Sequence, residues 1–70
     1  MEKRVADCII YNESDILRVV RALFDDGSNE ILFRFYADEV YFHSSEFVGL
    51  TKKEVLEVCD SRNYQPLLWK

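Results

Sequence analysis

Asn12-Glu13-Ser14-Asp15-Ile16-Leu17-Arg18-Val19-Val20-Arg21-Ala22-Leu23-Phe24-Asp25-Asp26-Gly27 is the stretch on which the fold turns. Read at helical period, Ile16, Leu17, Val19, Val20, Leu23 and Phe24 fall on an arc of roughly 160°. Arg18, Arg21 and Asp25 occupy the other side. Asn12 has the chemistry of an N-cap, and Asp15 three residues later suits the positive end of a helix dipole. Gly27 supplies the left-handed residue that ends a helix cheaply. The pattern predicts a helix between Asn12 and Gly27.

Upstream, Val5 to Tyr11 (VADCIIY) is β-branched and apolar enough for a strand, with Asp7 as a blemish near its start. Downstream, Glu30 to Tyr36 (EILFRFY) is too aromatic and too short for a second helix and reads as a strand. Period-two alternation places Ile31, Phe33 and Phe35 on one face and Leu32, Arg34 and Tyr36 on the other. Ala37-Asp38-Glu39 reads as a tight turn into a partner strand, Val40-Tyr41-Phe42-His43. Ser44 to Leu50 reads as a loop.

Thr51-Lys52-Lys53-Glu54 is a capping box, with Leu50 and Val55 at the spacing of a hydrophobic staple. The helix it opens runs through Leu56, Val58 and Cys59 and frays near Ser61-Arg62-Asn63. Tyr64 to Trp69 reads as a last strand, with Pro66 at an edge because it cannot donate a ladder hydrogen bond. The order is then β-α-β-β-α-β over one small α+β domain, residues 1–70. That is the ferredoxin-like succession, an antiparallel sheet with two helices on one face. The alternative is a three-stranded sheet plus two helices. In either case the helices are expected to cover Cys8, Ile10, Ile31, Phe33, Phe35, Val40, Phe42 and one of Leu67 or Leu68.

Composition narrows the function. Half the chain is hydrophobic (49%) and 31% is charged, with two glycines and one proline, which excludes a disordered tail or low-complexity linker. No apolar run approaches the roughly 20 residues of a membrane-spanning helix. Met1-Glu2-Lys3-Arg4 leads into a mixed stretch with Asp7, which does not read as a secretory signal. Cys8 and Cys59 are too few for a disulfide framework and read as buried thiols in a reducing cytosol, so a cytoplasmic setting is expected. Thirteen acidic residues against nine basic give a net charge of −4, and the basic residues are scattered. Such a field repels duplex nucleic acid and anionic membranes at long range.

Catalytic and cofactor chemistry finds no pattern to stand on. Two glycines cannot build a phosphate-cradling loop. One histidine and two isolated cysteines carry no metal-ligand spacing. His43 stands beside Ser44, Ser45 and Glu46, but neighbours along a strand point to opposite faces, which works against mutual contact. Asp25-Asp26 and Asp38-Glu39 sit at turns, where solvated carboxylates are expected. The reading is a non-enzyme with no cofactor and no metal.

The positive anomaly is the sheet face away from the helices. Alternation would place Ile9, Tyr11, Leu32, Arg34, Tyr36, Tyr41, His43 and Trp69 there, where small polar or charged residues are usual. Tyrosine, tryptophan and arginine are the types enriched at interface hot spots. The expected function is therefore protein interaction, with a protein partner or a second copy as a homodimer. Tyr11, Arg34, Tyr36, Tyr41, His43 and Trp69 are the expected contacts.

Two other classes compete. One is a small acidic inhibitor, of the kind carried by mobile elements, blocking a cationic nucleic-acid-handling site. The other is single-stranded nucleic-acid binding. The element order and the sheet-face aromatics resemble the RNA-recognition motif family, in which such rings stack on bases. Val40-Tyr41-Phe42-His43 lacks that family's K/R-G-F/Y-G/A-F-V-x-F/Y signature, and no RNA-binding residue is carried over. Phe47-Val48-Gly49-Leu50-Thr51 with Glu54 is also similar to the helix start of small protease inhibitors related to potato inhibitor I. That likeness covers one capping motif, and no inhibitor residue is assigned on it.

Overall fold

A computed structural model describes residues 2–64 and 67–68. Three eight-residue strands, β1 (Val5–Asn12), β2 (Leu17–Phe24) and β3 (Asn29–Tyr36), follow one another as an antiparallel meander. A 3-10 turn at Ser44–Glu46 and one helix, α1 (Lys52–Ser61), come next. A two-residue strand, β4 (Leu67–Leu68), then pairs antiparallel with β3. The domain is α+β, with sheet order β1-β2-β3-β4 and one α-helix among the described residues.

The segment expected as the first helix is the central strand. Val19 and Val20 are adjacent β-branched residues, stiff at χ1 and better suited to a pleated surface than to a helix. Asp26-Gly27 is a hairpin signal rather than a helix stop. The Gly27 N–H donates to the Phe24 carbonyl (3.0 Å) and the Phe24 N–H to the Ser28 carbonyl (2.7 Å), and Gly27 holds φ at +89°. The Asp26 carboxylate accepts from both the Ser28 N–H (2.9 Å) and its hydroxyl (2.6 Å), fixing the turn from inside. At the other end, Ser14 and Asp15 sit in the β1–β2 loop, and the Ser14 hydroxyl accepts the Leu17 N–H (3.2 Å). The ferredoxin-like order and its two-helix alternative are both corrected by this strand.

Residues directly opposite across the sheet share a face. Ile10, Val20 and Phe33 form one such line, and Cys8, Ala22 and Glu30 another. This inner face carries the core, where Val20, Ala22, Phe24, Phe33 and Phe35 are buried. The β3 register shifts opposite Val20 and Arg21, so Leu32 is the extra residue of a bulge. Leu32 is consequently buried beside Phe33 in the core, while Ile31 lies opposite Arg21 on the outer face. The expected placement of these two residues is exchanged. The expected core positions Cys8, Ile10, Phe33, Phe35, Val40 and Phe42 do join the core.

Val40 to His43 forms no strand; after a turn closed by the Tyr36 carbonyl, the chain crosses the inner face of the sheet. Phe42 and Phe47 hold it there. The Phe33 ring meets Phe42 at 5.4 Å and Phe47 at 5.7 Å, both edge to face, and Phe35 meets Phe42 at 5.1 Å. Edge-to-face pairs set the positive ring edge against the negative face and add to the area buried. The capping box forms as expected: Thr51 Oγ1 accepts the Glu54 N–H (3.3 Å), and Glu54 Oε1 accepts the Thr51 N–H (2.9 Å). Val55 and Cys59 are the fully buried residues of α1, with Leu50 and Val58 packed against the same core.

The β2–β3 turn gives a first prediction. An added Cβ at Gly27 meets nothing within 4 Å, so Gly27→Ala pays only for the left-handed backbone. Urea unfolding is expected to show a loss of about 1–2 kcal/mol with an unchanged slope. An unchanged midpoint would contradict the hairpin.

Candidate interaction surface

The outer face is assembled by the same register. Across the three strands run the lines Asp7–Leu23–Asn29, Ile9–Arg21–Ile31 and Tyr11–Val19–Arg34, with Leu17 opposite Tyr36. Ile9 is 54% exposed, Leu23 44% and Tyr11 39%. Leu23 lies diagonal to Ile9 across β1–β2, within reach for side chains of this size. Between them Arg21 donates to Asn29 Oδ1 (2.6 Å) and has no carboxylate partner among the described residues. Asp7, Ile9, Arg21, Leu23 and Asn29 border a shallow hollow of about 250 Å³.

The far end of this face is closed rather than open. Arg34 reaches Glu13 with two parallel bonds, Nε to Oε2 (2.9 Å) and Nη2 to Oε1 (3.1 Å), drawing the β1–β2 loop across to β3. Fork-to-fork geometry of this kind is strong for an ion pair because both bonds are charge-assisted. Val19, on the outer face between Tyr11 and Arg34, is 1% exposed. Tyr36 is half-buried, and its N–H points to the hydroxyl of Tyr64 (3.4 Å).

The six expected contact residues therefore do not form one surface. Tyr11, Arg34 and Tyr36 stand on the outer face. Tyr41 and His43 sit on the crossing segment at the inner side of the sheet, their rings packed edge to face at 5.1 Å. They border a second hollow of about 370 Å³ with Asn12, Arg18, Phe35 and Phe42. Arg62 fixes this segment: it lies over the Phe42 ring at 4.7 Å, donates to the Tyr41 carbonyl (3.1 Å) and pairs with Glu46. Glu46 in turn accepts the His43 N–H (2.7 Å). Trp69 lies outside the described residues. Sequence reasoning missed Leu23 and Arg21 because it assigned them to a helix. The alternation Leu17, Val19, Arg21, Leu23, ending at Asp26-Gly27, was the signal that would have found them.

Burial pushes the Cys8 and Cys59 thiols up to about 11, so both stay protonated and poorly nucleophilic near neutrality. Among the described residues, no three His, Cys, Asp or Glu side chains converge to hold a metal ion, and no helix is long and apolar enough to cross a membrane. Set beside known proteins, the chain matches no family model, no curated protein and no solved structure.

With Ellman's reagent at pH 8, both thiols are expected to react many-fold more slowly in the folded chain than in urea; equal rates would place them at the surface. The carboxyls of Glu30, Glu46 and Glu54 lie below their ordinary value of 4.5, held down by the Lys3 ammonium, the Arg62 guanidinium and the Thr51 N–H respectively. The unfolded chain thus binds more protons than the folded one below pH 4.5. Stability is expected to be complete above that pH and to fall as pH drops beneath it, less steeply in Glu30→Gln. A urea midpoint independent of pH between neutrality and pH 3 would contradict these pairs.

Proposed function

We propose that this domain is a non-catalytic interaction module that binds a protein partner through the outer face of β1, β2 and β3. Ile9, Leu23 and Tyr11 supply the apolar area, Arg21 a cation without a carboxylate partner among the described residues, and Arg34 and Tyr36 the rim. The observation that carries the reading is the exposure of Ile9 and Leu23, diagonal to one another on the outer sheet face with Arg21 opposite Ile9. Exposed aliphatic area beside an aromatic ring and an arginine is the composition of an interface core. The free, buried thiols support a reducing, cytoplasmic setting. Tyr41 and His43 form a separate aromatic pair on the opposite side and serve as the control.

Ile9→Lys combined with Leu23→Lys tests the reading. Both side chains are substantially exposed, so the double variant is expected to unfold within about 0.5–1 kcal/mol of the parent. Immobilised parent and variant are compared for what they retain from an extract of the source cells. The parent and Tyr41→Ala are expected to retain the same protein and the double variant to lose it at least tenfold. Equal retention by the double variant would overturn the assignment.

A further inference from the structure

We propose that the partner meets this face with an extended acidic segment, two apolar side chains flanking a carboxylate, and that Arg21 receives the carboxylate. The proposal rests on the interaction reading above and names the chemistry of the partner. Arg21 stands opposite Ile9 and Ile31 at once, a guanidinium between two isoleucines. It is also the wall between two hollows. One is the hollow of about 250 Å³ bordered by Ile9 and Leu23. The other, of about 490 Å³, lies beyond Ile31 and Leu32 and is closed from α1 by Lys52, Val55 and Leu56. Leu56 is 42% exposed, so each hollow has an aliphatic side chain open to solvent at its rim.

Charge selects the occupant. Lys3 and Lys52 pair with Glu30, Arg4 with Glu54, Arg34 with Glu13 and Arg62 with Glu46. Arg18 turns to the carbonyls of Ser14 and Asp15. Arg21 instead donates from Nη2 to Asn29 Oδ1 (2.6 Å), an uncharged acceptor that holds the guanidinium in place without neutralising it. The larger hollow is thus bordered by two cations, Arg21 and Lys52, and by one carboxylate, Glu30, that already serves two lysines. Asp7, at the β1 corner of the smaller hollow, turns its carboxylate to the Cys8 N–H (2.9 Å) and repels a second negative charge there. An incoming acid is therefore directed to Arg21, where fork-shaped, charge-assisted bonds to a carboxylate are available. The chain carries −4 overall, but at physiological salt charges are screened beyond about 8 Å, so distant carboxylates do not cancel this site. The spacing also fits. From Ile9 to the α1 side of β3 is two to three strand spacings, roughly 10–15 Å, and side chains i and i+4 of an extended segment share a face about 13 Å apart with i+2 between them.

Fluorescence anisotropy at physiological salt tests the proposal with two fluorescein-labelled peptides, one containing Leu-Ser-Glu-Ser-Leu and one with glutamine in place of the glutamate. The parent is expected to bind the glutamate peptide saturably and the glutamine peptide at least about tenfold more weakly, the effect of one lost charge-assisted contact. Arg21→Gln is expected to bind both peptides equally. Leu56→Gln, on the exposed side of α1, is expected to weaken both about tenfold and to keep the preference for glutamate. No saturable binding of the glutamate peptide, equal binding of the two by the parent, or a preference that survives Arg21→Gln would overturn the proposal. The comparison on the parent needs no variant to fold. A cell protein retained equally by the parent and Arg21→Gln, yet lost from the Ile9→Lys, Leu23→Lys variant, would overturn the acidic segment while leaving the face reading standing.

Discussion

Strand β2 is hydrogen-bonded along both its edges, and consecutive residues of a strand must point to opposite faces. With Val20 opposite Ile10 and Phe33 on the inner face, Val19 has no choice but to stand between Tyr11 and Arg34 on the outer one. Both valines are essentially buried, so the two faces of the central strand are covered by different means. Aromatic rings cover the inner face. A tyrosine and a paired arginine border Val19 on the outer face. From this parity follow the positions of Arg21 and Leu23 outside and of Ala22 and Phe24 inside, and hence the whole candidate surface.

The inner layer shows how a small chain builds a core with one helix. Only Val55 and Cys59 of α1 are fully buried. The larger contribution comes from Phe42 and Phe47, two rings on irregular backbone seated against Phe33. Charged side chains pin that backbone at its borders: Arg62 to Glu46 and the Tyr41 carbonyl, Arg4 to Glu54 and the Gly49 carbonyl. Exposed pairs of this kind contribute little stability one by one, and their role here is to hold a strandless segment in one path.

Local chemistry was legible in the sequence and non-local pairing was not. The capping box of Thr51 and Glu54 and the strand character of β1 and β3 depend on residues within one element, and each was readable there. The segment Leu17 to Phe24 satisfies both periods, since Leu17, Val20 and Phe24 fit a helical stripe as well as they fit alternation. Pairing with β1 and β3 decides it, and that lies outside the window. The bulge at Leu32 reversed the expected faces of Ile31 and Leu32 by inserting one residue. Val40 to His43 carries strand-like residues, yet Phe42 is drawn onto Phe33 and Phe35 rather than into a ladder. For the candidate surface, Tyr11, Arg34 and Tyr36 were placed on the outer face by their own strands. Tyr41 and His43 were assigned to it through a strand that does not form.

Every outer-face position inherits its parity from β2 as the central strand. Nuclear magnetic resonance of the labelled chain measures this directly. Extended α-carbon shifts from Leu17 to Phe24, with close α-proton contacts between Ile10 and Val20 and between Cys8 and Ala22, are the expected result. Helical shifts over that segment with successive amide–amide contacts would contradict the fold and the surface together.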